Sequence, residues 1–89
     1  MSALTIAVIS PERTVYEGSA ASIVAPAYDG EVGILPGHAA MLTLLGEGVL
    51  RIGDGSRVRV RGGFLQVADN VVRVVTEHAE AVVKELQTA

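Results

Sequence analysis

Apolar and polar positions alternate along this chain in short runs, broken by turn residues roughly every 8 to 12 positions, the pattern of an all-β sandwich or barrel. The clearest run is VLRIGDGSRVRV, which folds back on Gly53-Asp54-Gly55-Ser56. Alternation then sets Leu50, Ile52, Val58 and Val60 on one face and Arg51, Arg57, Arg59 and Arg61 on the other. LTIAVIS alternates from Leu4 to Ile9 and stops before Pro11, and TVYEG reads as a short return strand ending at Gly18. IVAPA carries Ile23 and Val24 into Pro26, and the next strand is opened by the turn dipeptide Asp29-Gly30. Gly62-Gly63 predicts a corner or bulge of the kind that turns strands in small β folds. FLQVADNVVRVV predicts a second hairpin on Asp69-Asn70, both tolerant of turn backbone angles. The expectation is about nine or ten short strands in two packed sheets, with edges protected by Pro and Arg. In the tail, Ala79, Val82, Val83 and Leu86 fall at helical spacing, yet the run is short for a helix and poorly capped, so residues 81–84 are read as a last edge strand.

Composition narrows what such a fold can do. At 89 residues the chain is expected to form one domain, and a domain of this size buries only roughly 60% of its unfolded surface, too little for a deep private active site. Hydrophobic residues make up 49% of it, with one Phe, two Tyr and no Trp, so the core is Val, Ile, Leu and Ala. That composition lacks the stacking platforms of single-strand binders, and the net charge of −3 lacks a basic nucleic-acid footprint. Without cysteine there is neither a disulfide framework nor a thiolate zinc site. The N-terminus carries no basic, apolar leader, and no run is long enough to span a membrane, so a chain soluble in the compartment that made it is expected.

Candidate chemistry is sparse. Asp29, Glu31 and His38 with His78 and Glu80 are the candidate oxygen and nitrogen ligands, since residues two apart on a strand share a face, but none of these spacings is a recognised metal motif. No serine sits in a G-x-S-x-G turn, and neither histidine has an evident orienting partner, so no catalytic residue is expected. Gly53-Asp54-Gly55-Ser56 lies between strands and opens no helix, which leaves a phosphate nothing to bind. The lone lysine, Lys84, lies in the tail, against a lysine-modified carrier domain. The arginine stripe 51, 57, 59, 61 is a solvated face in its simplest reading, or else faces an acidic partner or phospholipid. No cofactor is expected from any of these patterns.

The stretch DGEVGILPGHAAMLTLLGEG, residues 29–48, is different. Pro36-Gly37-His38 is a rigid turn between apolar strands, and residues 39–45 are apolar on both alternating faces. A small sandwich buries one face of a strand, so Met41, Thr43 and Leu45, or else Ala40, Leu42 and Leu44, carry surplus apolar surface suited to a partner.

This stretch, with GGFLQVADNVVRVVTEHAE after it and LTIAVISPERTVYEG before it, closely resembles the N-terminal domain of the epsilon subunit of bacterial and chloroplast F-type ATP synthases. The shared pattern is G-E-x-G-x-x-P-G-H-A-x-x-L-T, then G-x-L-x-I and a Gly-Gly hairpin, and it covers essentially the whole chain. The resemblance implies a ten-stranded flattened β-barrel or sandwich. It implies a non-catalytic rotor subunit at the foot of the central stalk, bound to the gamma subunit and to the c-ring, coupling proton or sodium flow to ATP synthesis. By the same resemblance Ser10, His38 and Thr43 face gamma, with Met41 and Leu42 supplying apolar contact, and Glu31 lies near the c-ring with Asp29 and Gly30 beside it. The cytoplasmic face of the bacterial inner membrane is the implied location, ahead of the stromal face of the thylakoid. Full-length members continue into a helical hairpin that inhibits ATP hydrolysis. This chain stops at KELQTA, where that hairpin would begin, so helix-mediated inhibition and nucleotide sensing are not expected of it. The competing reading is a free-standing small β module that binds a metal or small ligand.

Overall fold

A computed structural model describes residues 3–82, which form ten strands and no helix. The strands are β1 (Leu4–Ile9), β2 (Thr14–Ala20), β3 (Ile23–Ala27), β4 (Gly30–Ile34), β5 (Met41–Leu44), β6 (Glu47–Ile52), β7 (Arg57–Arg61), β8 (Phe64–Ala68), β9 (Val71–Val75) and β10 (His78–Val82). They lie in two five-stranded sheets, sheet A in the order β2-β1-β9-β8-β5 and sheet B in the order β10-β7-β6-β3-β4. Period-two alternation decides the packing. Leu4, Ile6, Val8, Leu65, Val67, Val72 and Val74 point inward from sheet A, and Ile23, Ala25, Ile34, Leu50, Ile52, Val58 and Val60 meet them from sheet B.

Of the barrel and sandwich alternatives the structure is the sandwich. On the β4/β5 side the sheets touch through the isolated bridge between Ala27 and Leu45, helped by the Tyr28 N–H donating to the Leu44 carbonyl at 3.1 Å. Both predicted hairpins are present. Asp69 and Asn70 close the β8–β9 pair with φ of 50° and 63°, the two positive values of a type I′ turn that matches the twist of its strands. Gly62-Gly63 is the predicted corner, carrying the chain from sheet B into sheet A.

Several expectations need correction. Pro26 does not guard an edge: it is buried in β3, between β4 and β6. The β3–β6 ladder pairs only Ile23 and Val24, so Pro26 sits beyond it, its carbonyl accepting the Gly46 N–H at 2.8 Å. A proline is tolerated there because, although it stands opposite Glu31 in β4, the β3–β6 pairing has ended before it. Arg57, Arg59 and Arg61 lie on β7, which β10 covers, so they do not protect an edge strand either. The β3–β4 turn is Tyr28-Asp29, with Gly30 already paired to Ala27. The last strand starts at His78, earlier than residue 81, because His78 pairs with Arg61; residues 83–84 of the predicted strand lie outside the described residues, as do the other tail positions from 85 onward.

One pairing was not anticipated. β1 runs parallel to β9, inserted between β9 and its own hairpin partner β2. Its ends are pinned by the Thr5 N–H on the Asn70 carbonyl at 2.8 Å and the Thr76 N–H on the Ile9 carbonyl at 2.9 Å.

Candidate partner-docking site

The two outer faces of the sandwich differ in chemistry. On sheet A, the registers β1–β9, β9–β8 and β8–β5 place Ile9, Val75, Phe64 and Leu44 side by side across four strands. Each is the outward neighbour of a buried residue, so this row is an apolar ladder on the outer face, half-buried at Ile9 and Val75 and exposed at Phe64 and Leu44. The next row, Ala7, Arg73, Gln66 and Leu42, is mixed. Leu42 and Leu44 are 67% and 60% exposed, and Phe64 is 37% exposed. Together with Thr43 they line a shallow groove of about 360 Å³ at the sheet edge.

This resolves which face of β5 has apolar surface to spare. Leu45 is buried, Met41 packs against the core and Thr43 is half-buried beside it, whereas Ala40, Leu42 and Leu44 face outward. Of the residues expected to contact gamma, Leu42 therefore projects directly, while Met41 and Thr43 form the strand's inner side. His38 is half-buried in the loop that leads into β5. Its N–H closes a turn on the Leu35 carbonyl at 3.1 Å, and its ring Nδ1 lies 2.8 Å from the Ala39 carbonyl oxygen. Ser10 is nearly buried at the end of β1, beside the Ile9 end of the apolar row; its hydroxyl lies 3.2 Å from the Arg13 carbonyl and 3.4 Å from Glu12 Oε1.

Asp29, Gly30 and Glu31 sit together at the β3–β4 tip, which the Tyr28 to Leu44 hydrogen bond ties to the far end of β5. β5 thus runs between the two predicted clusters, the His38 loop at its start and the acidic tip at its end. Glu31 is engaged: the Arg51 Nη2 lies 3.3 Å from its Oε1, both side chains half-exposed. Sequence reasoning missed Phe64 and the row it completes. The available signal was alternation in the FLQV run, which buries Leu65 and Val67 and so must turn the chain's single Phe outward.

Sheet B presents charge. Arg61 stands between Glu47 and His78 in register, and Arg59 faces Glu80, around a groove of about 270 Å³. The suggested metal cluster does not assemble: Glu31 is on β4 and His78 and Glu80 are on β10, opposite edges of the sheet. Among the described residues no group of three or more His, Cys, Asp or Glu gathers.

The molecule is thus a two-sheet β-sandwich with one apolar and one charged outer face. Residues 3–82 match the family described as "ATP synthase, Delta/Epsilon chain, beta-sandwich domain", and the chain belongs to that family. It is 45% identical over 78 residues to the ATP synthase epsilon chain of Leptospira borgpetersenii, covering 84% of this chain and 61% of the relative. It is 41% identical over 81 residues to that of Synechococcus sp. strain RCC307, covering 88% and 60%. The chain therefore spans about three fifths of the length of these relatives. Its fold is shared with a chain of the Euglena gracilis mitochondrial ATP synthase assembly of OSCP, F1 and c-ring, at a TM-score of 0.82 and 24% identity over 91% of this chain and 54% of that one. It is shared also with a chain of the Tetrahymena thermophila mitochondrial ATP synthase central stalk and c-ring, at a TM-score of 0.70 and 19% identity over 86% and 65%.

Proposed function

We propose that this chain is a non-catalytic central-stalk domain of a proton- or sodium-driven F-type ATP synthase, docking on the gamma subunit and the c-ring so that ion flow is coupled to ATP synthesis. The observation that carries the reading is the outward row Ile9, Val75, Phe64 and Leu44. Its exposed end, Phe64 and Leu44 with Leu42 beside them, is the kind of apolar surface a permanent interface covers, and the opposite face offers charge instead. Gamma takes the sheet A face, with Leu42 in direct contact, His38 at one end, Ser10 at the other, and Met41 and Thr43 setting β5 from behind. The c-ring takes the acidic tip Asp29, Gly30 and Glu31. The domain works as a peripheral part of the membrane complex, on the cytoplasmic side of the bacterial inner membrane.

Torque must pass through such a domain without slip. One exposed charge pair contributes only about 0 to 1 kcal/mol, so a single contact cannot hold. A desolvated apolar centre flanked by two polar clusters meets the need, because anchors at the centre carry most of an interface's energy. The sandwich supplies the rigidity: each inward position fills one shared core, and the corners are tied by backbone hydrogen bonds.

The test is co-elution of the protein with purified gamma of the same organism on a sizing column, followed by addition of detergent-solubilised c-ring. A stable binary complex that retains the c-ring supports the reading. Separate elution at tens of micromolar refutes it. His38→Ala should weaken the binary complex, and Glu31→Lys should release the c-ring only.

A further inference from the structure

We propose that Asn70 is a positioning residue that holds the His38 turn in the shape the gamma contact requires, an inference that rests on the docking reading above. Residues 35–38 form a turn with Pro36 and Gly37 at its centre, closed by the His38 N–H on the Leu35 carbonyl at 3.1 Å. Gly37 has φ of 88°, as the second central residue of a type II turn does. In that turn the Gly37 N–H takes no part in the closing bond and is open to a partner from outside the turn. It donates to Asn70 Oδ1 at 2.8 Å. Among the described residues this is the hydrogen bond that fastens the 35–40 segment to another element. The remaining ones, His38 to Leu35 and His38 Nδ1 to the Ala39 carbonyl, are internal to it.

Asn70 performs three tasks at one position. Its φ of 63° completes the β8–β9 turn, its carbonyl accepts the Thr5 N–H at 2.8 Å, and its side chain clamps Gly37. The first two need only a backbone that tolerates positive φ, which glycine supplies as well as asparagine does. The third needs a side-chain acceptor. Asparagine and aspartate combine both properties, so position 70 separates turn formation from loop clamping: Asn70→Gly retains the turn and deletes the clamp, and Asn70→Asp retains both.

The experiment uses both variants. Amide hydrogen exchange at Gly37 and His38 is read by NMR on the isolated protein, and affinity for purified gamma by isothermal titration. The expected result for Asn70→Gly is faster exchange confined to residues 37 and 38, a thermal midpoint lowered by no more than a few degrees, and gamma affinity roughly 3- to 10-fold weaker, the effect of losing one hydrogen bond. Asn70→Asp should restore exchange and affinity to within about two-fold. A merely structural role would instead raise exchange across β8 and β9 and leave gamma affinity unchanged. Unchanged Gly37 exchange in Asn70→Gly, or unchanged gamma affinity despite faster exchange, overturns the proposal alone. Absence of gamma binding by the unsubstituted protein overturns the docking reading and this proposal with it.

Discussion

Tyr16 donates its phenolic proton to Asp54 at 2.8 Å, joining the edge strand β2 of one sheet to the β6–β7 turn of the other. A bulge sets up the contact. Val8 pairs with Tyr16 but Ile9 with Thr14, which leaves Val15 as the extra residue that twists β2 toward sheet B. The ring then lies over Gly18, where a β-carbon would come within 2.9 Å of the phenolic oxygen.

Desolvation, then the hydrogen bond and the negative charge of Asp54, push the Tyr16 phenol up to about 12 from its ordinary 10.0. The folded state therefore keeps this proton at a pH where the unfolded chain gives it up. The contribution to stability is complete below pH 10.0 and is lost as pH rises toward about 12. Urea midpoints measured across this window should fall for the native sequence and fall less for Tyr16→Phe. Parallel declines for the two would show that Tyr16 is not the responsible group.

The corner at Gly63 tolerates no side chain. Its φ is 103°, and a β-carbon there would strike the Val75 carbonyl oxygen and come within 2.7 Å of the Thr76 Cα. These are backbone atoms and cannot swing aside. Gly63→Ala should lose more than about 3 kcal/mol, enough to leave much of a marginally stable domain unfolded. Circular dichroism melting is the check, and a native-like midpoint would show that the corner can relax.

Thr76 occupies the companion corner and is buried. Its hydroxyl oxygen accepts the His78 N–H at 3.3 Å and lies 2.9 Å from the His78 carbonyl and 3.2 Å from the Arg61 carbonyl, either of which can take its proton. Thr76→Val keeps the shape and strips these polar groups of their partner. The expected loss is about 1 to 3 kcal/mol by chemical denaturation.

Where structure follows from local alternation, the sequence was readable. The VLRI and RVRV strands have period two with Arg outside, so their hairpin and their buried set follow without tertiary information, while the register is set by a tighter turn than the four residues expected, the Ile52 N–H reaching the Ser56 carbonyl at 3.0 Å. The Asp69-Asn70 turn was readable for the same local reason. What escaped depends on distant partners. The parallel pairing of β1 with β9 joins residues more than sixty positions apart, and no periodicity in either strand encodes it. The row Ile9, Val75, Phe64 and Leu44 escaped with it, because it exists only once three separate registers are fixed. The His38 turn was visible as Pro-Gly-His, but its anchor on Asn70 was not, since each residue had a sufficient local explanation.

The Arg51–Glu31 pair bridges β6 and β4 across the top of β3, yet both partners are half-exposed. Its contribution to stability should lie within about 1 kcal/mol. Arg51→Ala is therefore expected to shift the urea midpoint little while freeing Glu31. In a reconstituted complex that change should leave c-ring retention intact, whereas Glu31→Lys should abolish it. Loss of c-ring binding in Arg51→Ala would mean that the pair itself, and not the carboxylate, is what the ring reads.

The most direct test of the docking account compares the two faces. Leu44→Asp charges the apolar row and Arg59→Ala removes a charge from sheet B, both at exposed sites where a stability change under about 1 kcal/mol is expected. Isothermal titration of each variant into purified gamma should show affinity lowered at least about tenfold for Leu44→Asp and unchanged for Arg59→Ala. Equal affinities, or a loss confined to Arg59→Ala, would contradict the assignment of sheet A as the gamma-binding face.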